Sequence, residues 1–230
     1  MGGGGLITVP ALTILLGPGA QTIGTNKILA VTSTLSALIV YIQKGHLKVS
    51  SGLPFLLAVA IGTVSGAKSA PLLPVQLFNW FLLMVCPIIL WFVLKKDTFH
   101  TKLGLPAHQR LPWMVALGLL CGFYDGVFGP GGGTFMFLSL NLIVGLPLMG
   151  AIATAKLANV VSAGGSLLTY SLQDLVLWDV GLKFAAFVLV GSILGSLTAH
   201  SKAPQIVRPL LVVVILLLMG RIAQNIFFFS

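Results

Sequence analysis

Apolar residues dominate this chain in long blocks, at about 4–16, 20–43, 53–67, 74–94, 112–128, 133–145, 147–172, 180–199 and 204–227. Short breaks rich in Gly, Pro and basic residues separate them. A helix needs about 20 mostly apolar residues to cross a bilayer, and runs such as 77–94 and 206–220 fit that requirement. The pattern predicts an all-α polytopic membrane protein without a domain-sized loop. Two blocks, 4–16 and 133–145, are short. At ~1.5 Å per residue each spans only ~20 Å, less than a hydrocarbon core of ~30 Å. Each follows a glycine run, Gly2-Gly3-Gly4-Gly5 or Gly129-Pro130-Gly131-Gly132-Gly133. The stretch 112–145 is therefore read as a helical hairpin with its glycine-rich tip at membrane depth.

The two glycine runs belong to an internal duplication. A shift of 129 positions lays Gly2, Gly3 and Gly4 on Gly131, Gly132 and Gly133, and Ile14 on Ile143. In the same register Pro18 falls on Pro147, Thr25 on Thr154, Lys27 on Lys156, Ser33 on Ser162 and Tyr41 on Tyr170. The match continues without a gap through Gly52 and Gly181, Phe55 and Phe184, Gly62 and Gly191, and Gly66 and Gly195. Block 112–128 precedes the second glycine run, and the first run has no counterpart to it. The expectation is a missing ancestral N-terminal helix, through true truncation or a start codon assigned too far downstream. The repeat argues against a cloning linker as the source of the first glycines. Leu6, where Ser or Thr is needed, breaks the myristoylation motif.

Charge supplies orientation. The polar stretch 95–111 holds Lys95, Lys96, Lys102 and Arg110 against Asp97, which predicts a cytoplasmic linker. It divides a first repeat, 1–94, from a second, 112–230. Counting outward, the basic breaks at 44–48 and 200–208 are also cytoplasmic. The break at 173–179, with Asp174 and Asp179 and no basic residue, is external; Lys68 and Lys183 run against the trend. An odd number of crossings then separates equivalent points, so the two repeats are expected to have inverted topology, as in many secondary transporters.

Composition narrows the function classes. Hydrophobic residues make up 57% of the chain, charged residues 7%, and the mean hydropathy is +1.06, against roughly 25% charged in soluble domains. The net charge of +9 is scattered through short breaks, which argues for membrane orientation and against a nucleic-acid partner. Cys86 and Cys121 lie within apolar blocks and read as small buried hydrophobes. His46, His100, His108 and His200 lack ligand spacing, so neither a metal nor another cofactor is indicated. There is no Ser–His pair or carboxylate dyad to suggest an enzyme.

The chemistry gathers at the glycine runs. Non-helical backbone cannot face lipid, so each run must be buried in protein or line a polar cavity. Converging glycine N–H groups and the start of a helix at Thr134 make an anion-binding concavity, although close helix packing is an equally good use of glycine. Lys27 and Lys156 each lie inside an apolar block, within Thr25-Asn26-Lys27 and Thr154-Ala155-Lys156. An intramembrane lysine costs about 2.5–3.5 kcal/mol on insertion scales and marks a function by default; snorkelling explains a symmetry-related pair poorly. Asp125 is the acid of the apolar blocks, in Gly122-Phe123-Tyr124-Asp125-Gly126. It is expected to neutralise Lys27 or Lys156, to cap the turn, or to carry a coupling proton. Asn159 shares a helical face with Lys156, and Gln76 and Asn79 read as interfacial.

These motifs resemble the sulfite exporter TauE/SafE family of membrane permeases. The likeness rests on Gly2-Gly3-Gly4-Gly5-Leu6-Ile7-Thr8-Val9-Pro10, on Gly24-Thr25-Asn26-Lys27, and on 122–133 with its tyrosine. Ala155-Lys156-Leu157-Ala158-Asn159 and Arg208-Pro209 extend it over nearly the whole chain. The resemblance implies a bacterial inner-membrane transporter, an exporter of small inorganic or organosulfur anions such as sulfite, thiosulfate or organosulfonates. The first helix, which precedes the first glycine run in the family, is the departure.

The expected site therefore comprises Gly3, Gly4, Gly5, Thr25, Asn26 and Lys27 from the first repeat. The second contributes Gly131, Gly132, Gly133, Thr154, Lys156 and Asn159, with Asp125 and Tyr124 as charge partner or coupling groups. Because the first repeat lacks its leading arm, Asp125, Gly129 to Gly133 and Lys156 form the better half-site. An anion channel and a non-transporting membrane scaffold are the competing readings.

Overall fold

The computed structural model describes residues 4–43, 52–74, 76–78, 80, 84 and 105–198. The helices are α1 (Gly4–Leu16), α2 (Ala20–Gln43), α3 (Leu53–Ser69), α4 (Ala107–Val127), α5 (Gly132–Leu138), α6 (Leu148–Ser171) and α7 (Trp178–Thr198). A 3₁₀ turn, Ala70–Leu72, follows α3, and a π-helical turn, Ser139–Ile143, continues α5. No strand occurs among the described residues. Gly2, Gly3, Cys86, His46, His100, His200, residues 95–104, block 204–227 and most of block 74–94 lie outside them.

Helix ends follow the local chemistry. Pro18 precedes α2 and Pro147 precedes α6, placing an imino residue where a helical N–H would have no intrahelical partner. One boundary differs from expectation: α4 starts at Ala107 and contains Pro112. The proline forfeits the hydrogen bond to the His108 carbonyl, and His108 is exposed near the helix start. A proline that reads as a break is absorbed there because the orphaned carbonyl is open to solvent.

Among the described residues many large apolar side chains face outward and many polar ones are buried. Leu72 is 83% exposed and Phe187 78%, with Leu15, Leu57, Ile61, Leu120 and Val190 also outward. Thr22, Thr25, Asn26, Lys27, Thr63, Asp125, Asn141, Thr154, Asn159, Ser162 and Ser166 are buried. A protein whose solvent is hydrocarbon sorts its side chains this way, because polar groups find partners only inside the bundle. The helices 53–72 and 150–171 are long and apolar enough to cross a membrane by length and composition.

Glycines let the interior helices meet backbone to backbone. Gly118, Gly122 and Gly126 recur every fourth residue on α4 and lie against Phe55, Val59 and Thr63 of α3. Gly62 and Gly66 of α3 in turn lie against Leu119 and Phe123. A Cβ on Gly122 would stand 2.9 Å from the Val59 Cα, and one on Gly126 2.9 Å from the Ala67 nitrogen. Small residues at four-residue spacing are the usual way to bring membrane helices this close. One apolar cluster, with Phe55, Val59, Met114, Met136, Leu140 and Ala155, joins α3 to α6. A second, with Val9, Leu12, Ile28, Leu29, Val127 and Tyr170, ties α1 and α2 to the ends of α4 and α6.

The turn from α4 to α5 requires glycine at two positions. Gly129 and Gly131 have φ of +90° and +79°, where an L side chain is strained. The turn closes with the Gly132 N–H donating to the Gly129 carbonyl at 3.2 Å.

Replacing Gly122 by Val is expected to lower stability by about 1–3 kcal/mol, the usual cost of overpacking. Gly164 faces open space, so Gly164→Ala is expected to leave melting unchanged or slightly raised. Thermal unfolding of both variants in one detergent checks the contrast.

Candidate functional site

The turn places Asp125 where three elements converge on it. The Lys27 ammonium, from the second turn of α2, lies 3.1 Å from Asp125 Oδ2 and donates to the Asp125 main-chain carbonyl at 2.5 Å. Side-chain exposures of the pair are 1% and 6%. Ser162 of α6 donates to the same Oδ2 at 2.5 Å. Thr63 of α3 sits 2.7 Å from the Ser162 hydroxyl and 3.1 Å from the Gly122 carbonyl. Asp125 Oδ1 takes up the space that a Cβ on Gly132 would fill, so the second glycine run wraps its own carboxylate. One buried acid is thus held by a cation and a hydroxyl, with a further hydroxyl behind the first, and such charge-assisted bonds are the strong ones in a protein interior.

The two glycine runs meet at this point. A Cβ on Gly5 would stand 3.7 Å from the Gly129 carbonyl oxygen and from the Pro130 Cα. A Cβ on Gly129 would stand 3.5 Å from the Lys27 ammonium. Tyr124 donates its hydroxyl to the Pro130 carbonyl at 2.5 Å and packs edge-on against Phe135, which braces the turn from α4. Tyr170 of α6 donates to the Gly126 carbonyl at 2.8 Å.

The expected site residues separate into groups. Gly5, Lys27, Tyr124, Asp125, Gly131 and Gly132 come together around the turn, and Gly133 is buried next to them. Gly4 opens α1, while Gly3 lies outside the described residues. Asn26 is buried and accepts a hydrogen bond from Thr8 of α1 at 2.5 Å. Thr25 is committed to packing: it donates to the Gln21 carbonyl at 2.8 Å and accepts the Leu177 N–H at 3.0 Å. Thr154 is buried with its methyl against Gly52, and Asn159 is buried on α6.

Of the two lysines expected as partners of Asp125, Lys27 makes the ion pair. Lys156 is part-buried and has no ion pair or hydrogen bond among the described residues. Equivalent sequence positions therefore sit in unequal surroundings, because the turn that supplies the carboxylate faces α2.

Ser162, Thr63 and Tyr170 escaped the sequence reading as functional groups. Ser162 had a signal: it occupies the repeat position of Ser33 and lies three residues beyond Asn159, on the same face of α6. Thr63 carried none, since its role depends on α3 crossing α4.

Comparison with known proteins agrees over almost the full length. Residues 1–222 match the family model described as sulfite exporter TauE/SafE. The chain is 36% identical over 228 residues to the probable membrane transporter protein ORF9 of a Sinorhizobium species, covering 97% of this chain and 86% of that one. It is 34% identical over 219 residues to the probable membrane transporter protein YfcA of Escherichia coli K12, covering 93% and 79%. The probable membrane transporter protein YunE of Bacillus subtilis is 26% identical over 251 residues, with 98% and 92% covered. No solved structure matches the chain.

Removing one partner of a buried pair leaves the other uncompensated. Lys27→Met is expected to cost about 3–5 kcal/mol, and the double variant Lys27→Met with Asp125→Asn is expected to recover at least half of it. Unfolding of the two singles and the double, read as a double-mutant cycle, measures the coupling.

Proposed function

The chain belongs to the sulfite exporter TauE/SafE family of membrane transporters, and from that premise we propose that it is a secondary transporter of a small anion, exporting a sulfur-containing oxyanion or an organosulfonate. The anion is bound between the two glycine runs. Backbone N–H groups of Gly3 to Gly5 and Gly131 to Gly133 hold its oxygens, with Lys27 and Lys156 balancing its charge. The two halves of the chain are inverted repeats, and rocking of one against the other exposes the site to each side in turn.

A single observation carries the reading: the charge count of the interior. Among the described residues that are not exposed there are two lysines, Lys27 and Lys156, and one carboxyl group, Asp125. Lys68, Arg110, Lys183, Asp174 and Asp179 are all exposed. One excess positive charge inside an apolar shell calls for an anion. The unpaired Lys156 is the group from which that excess arises. Contact of Gly5 with the Gly129–Pro130 segment, next to the Lys27 ammonium, supports a site between the two glycine runs. A neutral substrate would leave the charge unmatched, and a cation would double it. The family name, sulfite exporter, supplies the substrate class.

A thermal-shift series on purified protein tests the assignment with sulfite, sulfate, thiosulfate, methanesulfonate and acetate. At a hundred times its Kd a bound anion stabilises by about 2.7 kcal/mol, or about 5–10 °C for a chain of this size. The sulfur oxyanions are expected to give that shift, and Lys156→Ala to lose it together with saturable uptake in proteoliposomes. An equal shift in Lys156→Ala would remove Lys156 from the site.

A further inference from the structure

Asp125 is held by a chain of hydroxyls that works in either direction. With the carboxylate charged, Ser162 donates to Oδ2 at 2.5 Å, and Thr63, 2.7 Å behind, donates to Ser162. With a proton on the carboxyl the order reverses. Asp125 donates to Ser162, Ser162 to Thr63, and Thr63 to the Gly122 carbonyl at 3.1 Å. Each hydroxyl has one donor and two acceptor lone pairs, so neither side chain has to move between the two states.

The interior charge count gives the second state a purpose. As it stands, the excess of one positive charge balances a monovalent anion. A divalent oxyanion would leave one negative charge over, which an apolar interior penalises heavily. Asp125 is the one carboxylate that is buried among the described residues, so a proton there restores neutrality. The titratable groups that face it are few. Lys27 comes from α2 and Tyr170 from α6, while Cys121 and Tyr124 share α4 with it. On α3 and α5 the residues against it are Thr63, through Ser162, and Gly132. Lys156 makes no ion pair with it.

We propose that Asp125 is the coupling site of this transporter: it takes up one proton when a divalent oxyanion binds and none when a monovalent anion binds. The proposal rests on the anion-carrier reading above. The proton enters from the side on which the anion is loaded, forms an O–H bond on the Asp125 carboxyl, and returns to water when the anion leaves. No electrons change hands. Ser162 and Thr63 are positioning residues, which keep the carboxyl hydrogen-bonded in both states. A monovalent anion alone, and a divalent anion with one proton, each carry one net negative charge per cycle. An inside-negative membrane potential therefore drives both outward.

The test uses the full chain in proteoliposomes with a trapped pH-sensitive dye and the potential clamped by potassium and valinomycin. Thiosulfate serves as the divalent probe and methanesulfonate as the monovalent one. Thiosulfate uptake is expected to acidify the lumen by one proton per anion, and methanesulfonate uptake to leave its pH unchanged. Asp125→Asn leaves two buried lysines without their carboxylate, a count that matches thiosulfate without a proton, so it is expected to move no protons with thiosulfate and to lose methanesulfonate uptake. Ser162→Ala retains the carboxylate and removes the acceptor for its proton. It also removes the bond to the ionised carboxylate, the stronger of the two, and so eases protonation. It is expected to raise thiosulfate uptake about tenfold relative to methanesulfonate, the worth of one hydrogen bond; an equal effect on both anions would make Ser162 merely structural and overturn the hydroxyl chain. Entry of thiosulfate without acidification would overturn the coupling site and leave the anion carrier standing. Acidification with both anions would overturn the charge count. Entry of neither would overturn the carrier reading and the coupling site together.

Discussion

An ammonium and a carboxylate 3.1 Å apart, both shut away from solvent, set the terms for the rest of the structure. Neither charge is tolerable alone in an apolar interior, and together they are stable only with further hydrogen bonds around them. Those bonds recruit the neighbouring elements. Lys27 ties α2 to the turn after α4, Ser162 brings in α6, and Thr63 brings in α3. The glycines complete the arrangement, because α3 and α4 must approach to backbone contact for Thr63 to reach Ser162 over the Gly122 carbonyl. The second glycine run closes over Asp125 with Oδ1 in the place of a side chain at Gly132.

The same pair separates two lysines that a shift of 129 positions lays on one another. Lys27 is spent on Asp125, and Lys156 is left without an ion partner among the described residues. In a soluble protein water would screen such an imbalance. Within a shell of Leu, Ile, Phe and Val facing outward it persists, and on the present account the transported anion removes it. Transport and stability then draw on one electrostatic source. Under the proposed function the loaded interior is neutral, the empty one carries an excess charge, and Asp125 adjusts the count to the valence of the cargo.

Much of the fold is legible in the chain. The end of α1 at Leu16 and the start of α2 at Ala20 fall where blocks 4–16 and 20–43 place them, because Gly17, Pro18 and Gly19 leave little freedom in where a helix stops. Pro112 misleads because proline near an exposed helix start is tolerated, which local pattern does not reveal. The buried acid and two intramembrane lysines stand out by their cost, so Asp125, Lys27 and Lys156 are found from the sequence alone. Which lysine takes the acid is a matter of which helix the turn faces, and that depends on contacts between residues 98 apart in the chain. Thr25 reads as a site hydroxyl and is occupied in holding the Leu177 N–H. Ser162 and Thr63 read as ordinary small polar residues until α3, α4 and α6 are brought together.

Among the described residues the interior holds two lysines and one carboxyl group, and on the proposed function an anion makes up the difference. The charge moved per transport cycle tests it most directly, measured as methanesulfonate efflux from proteoliposomes at a series of potassium–valinomycin potentials. The account predicts efflux that steepens as the lumen is made negative, with one net negative charge leaving per anion. Efflux of methanesulfonate that is indifferent to potential would contradict it.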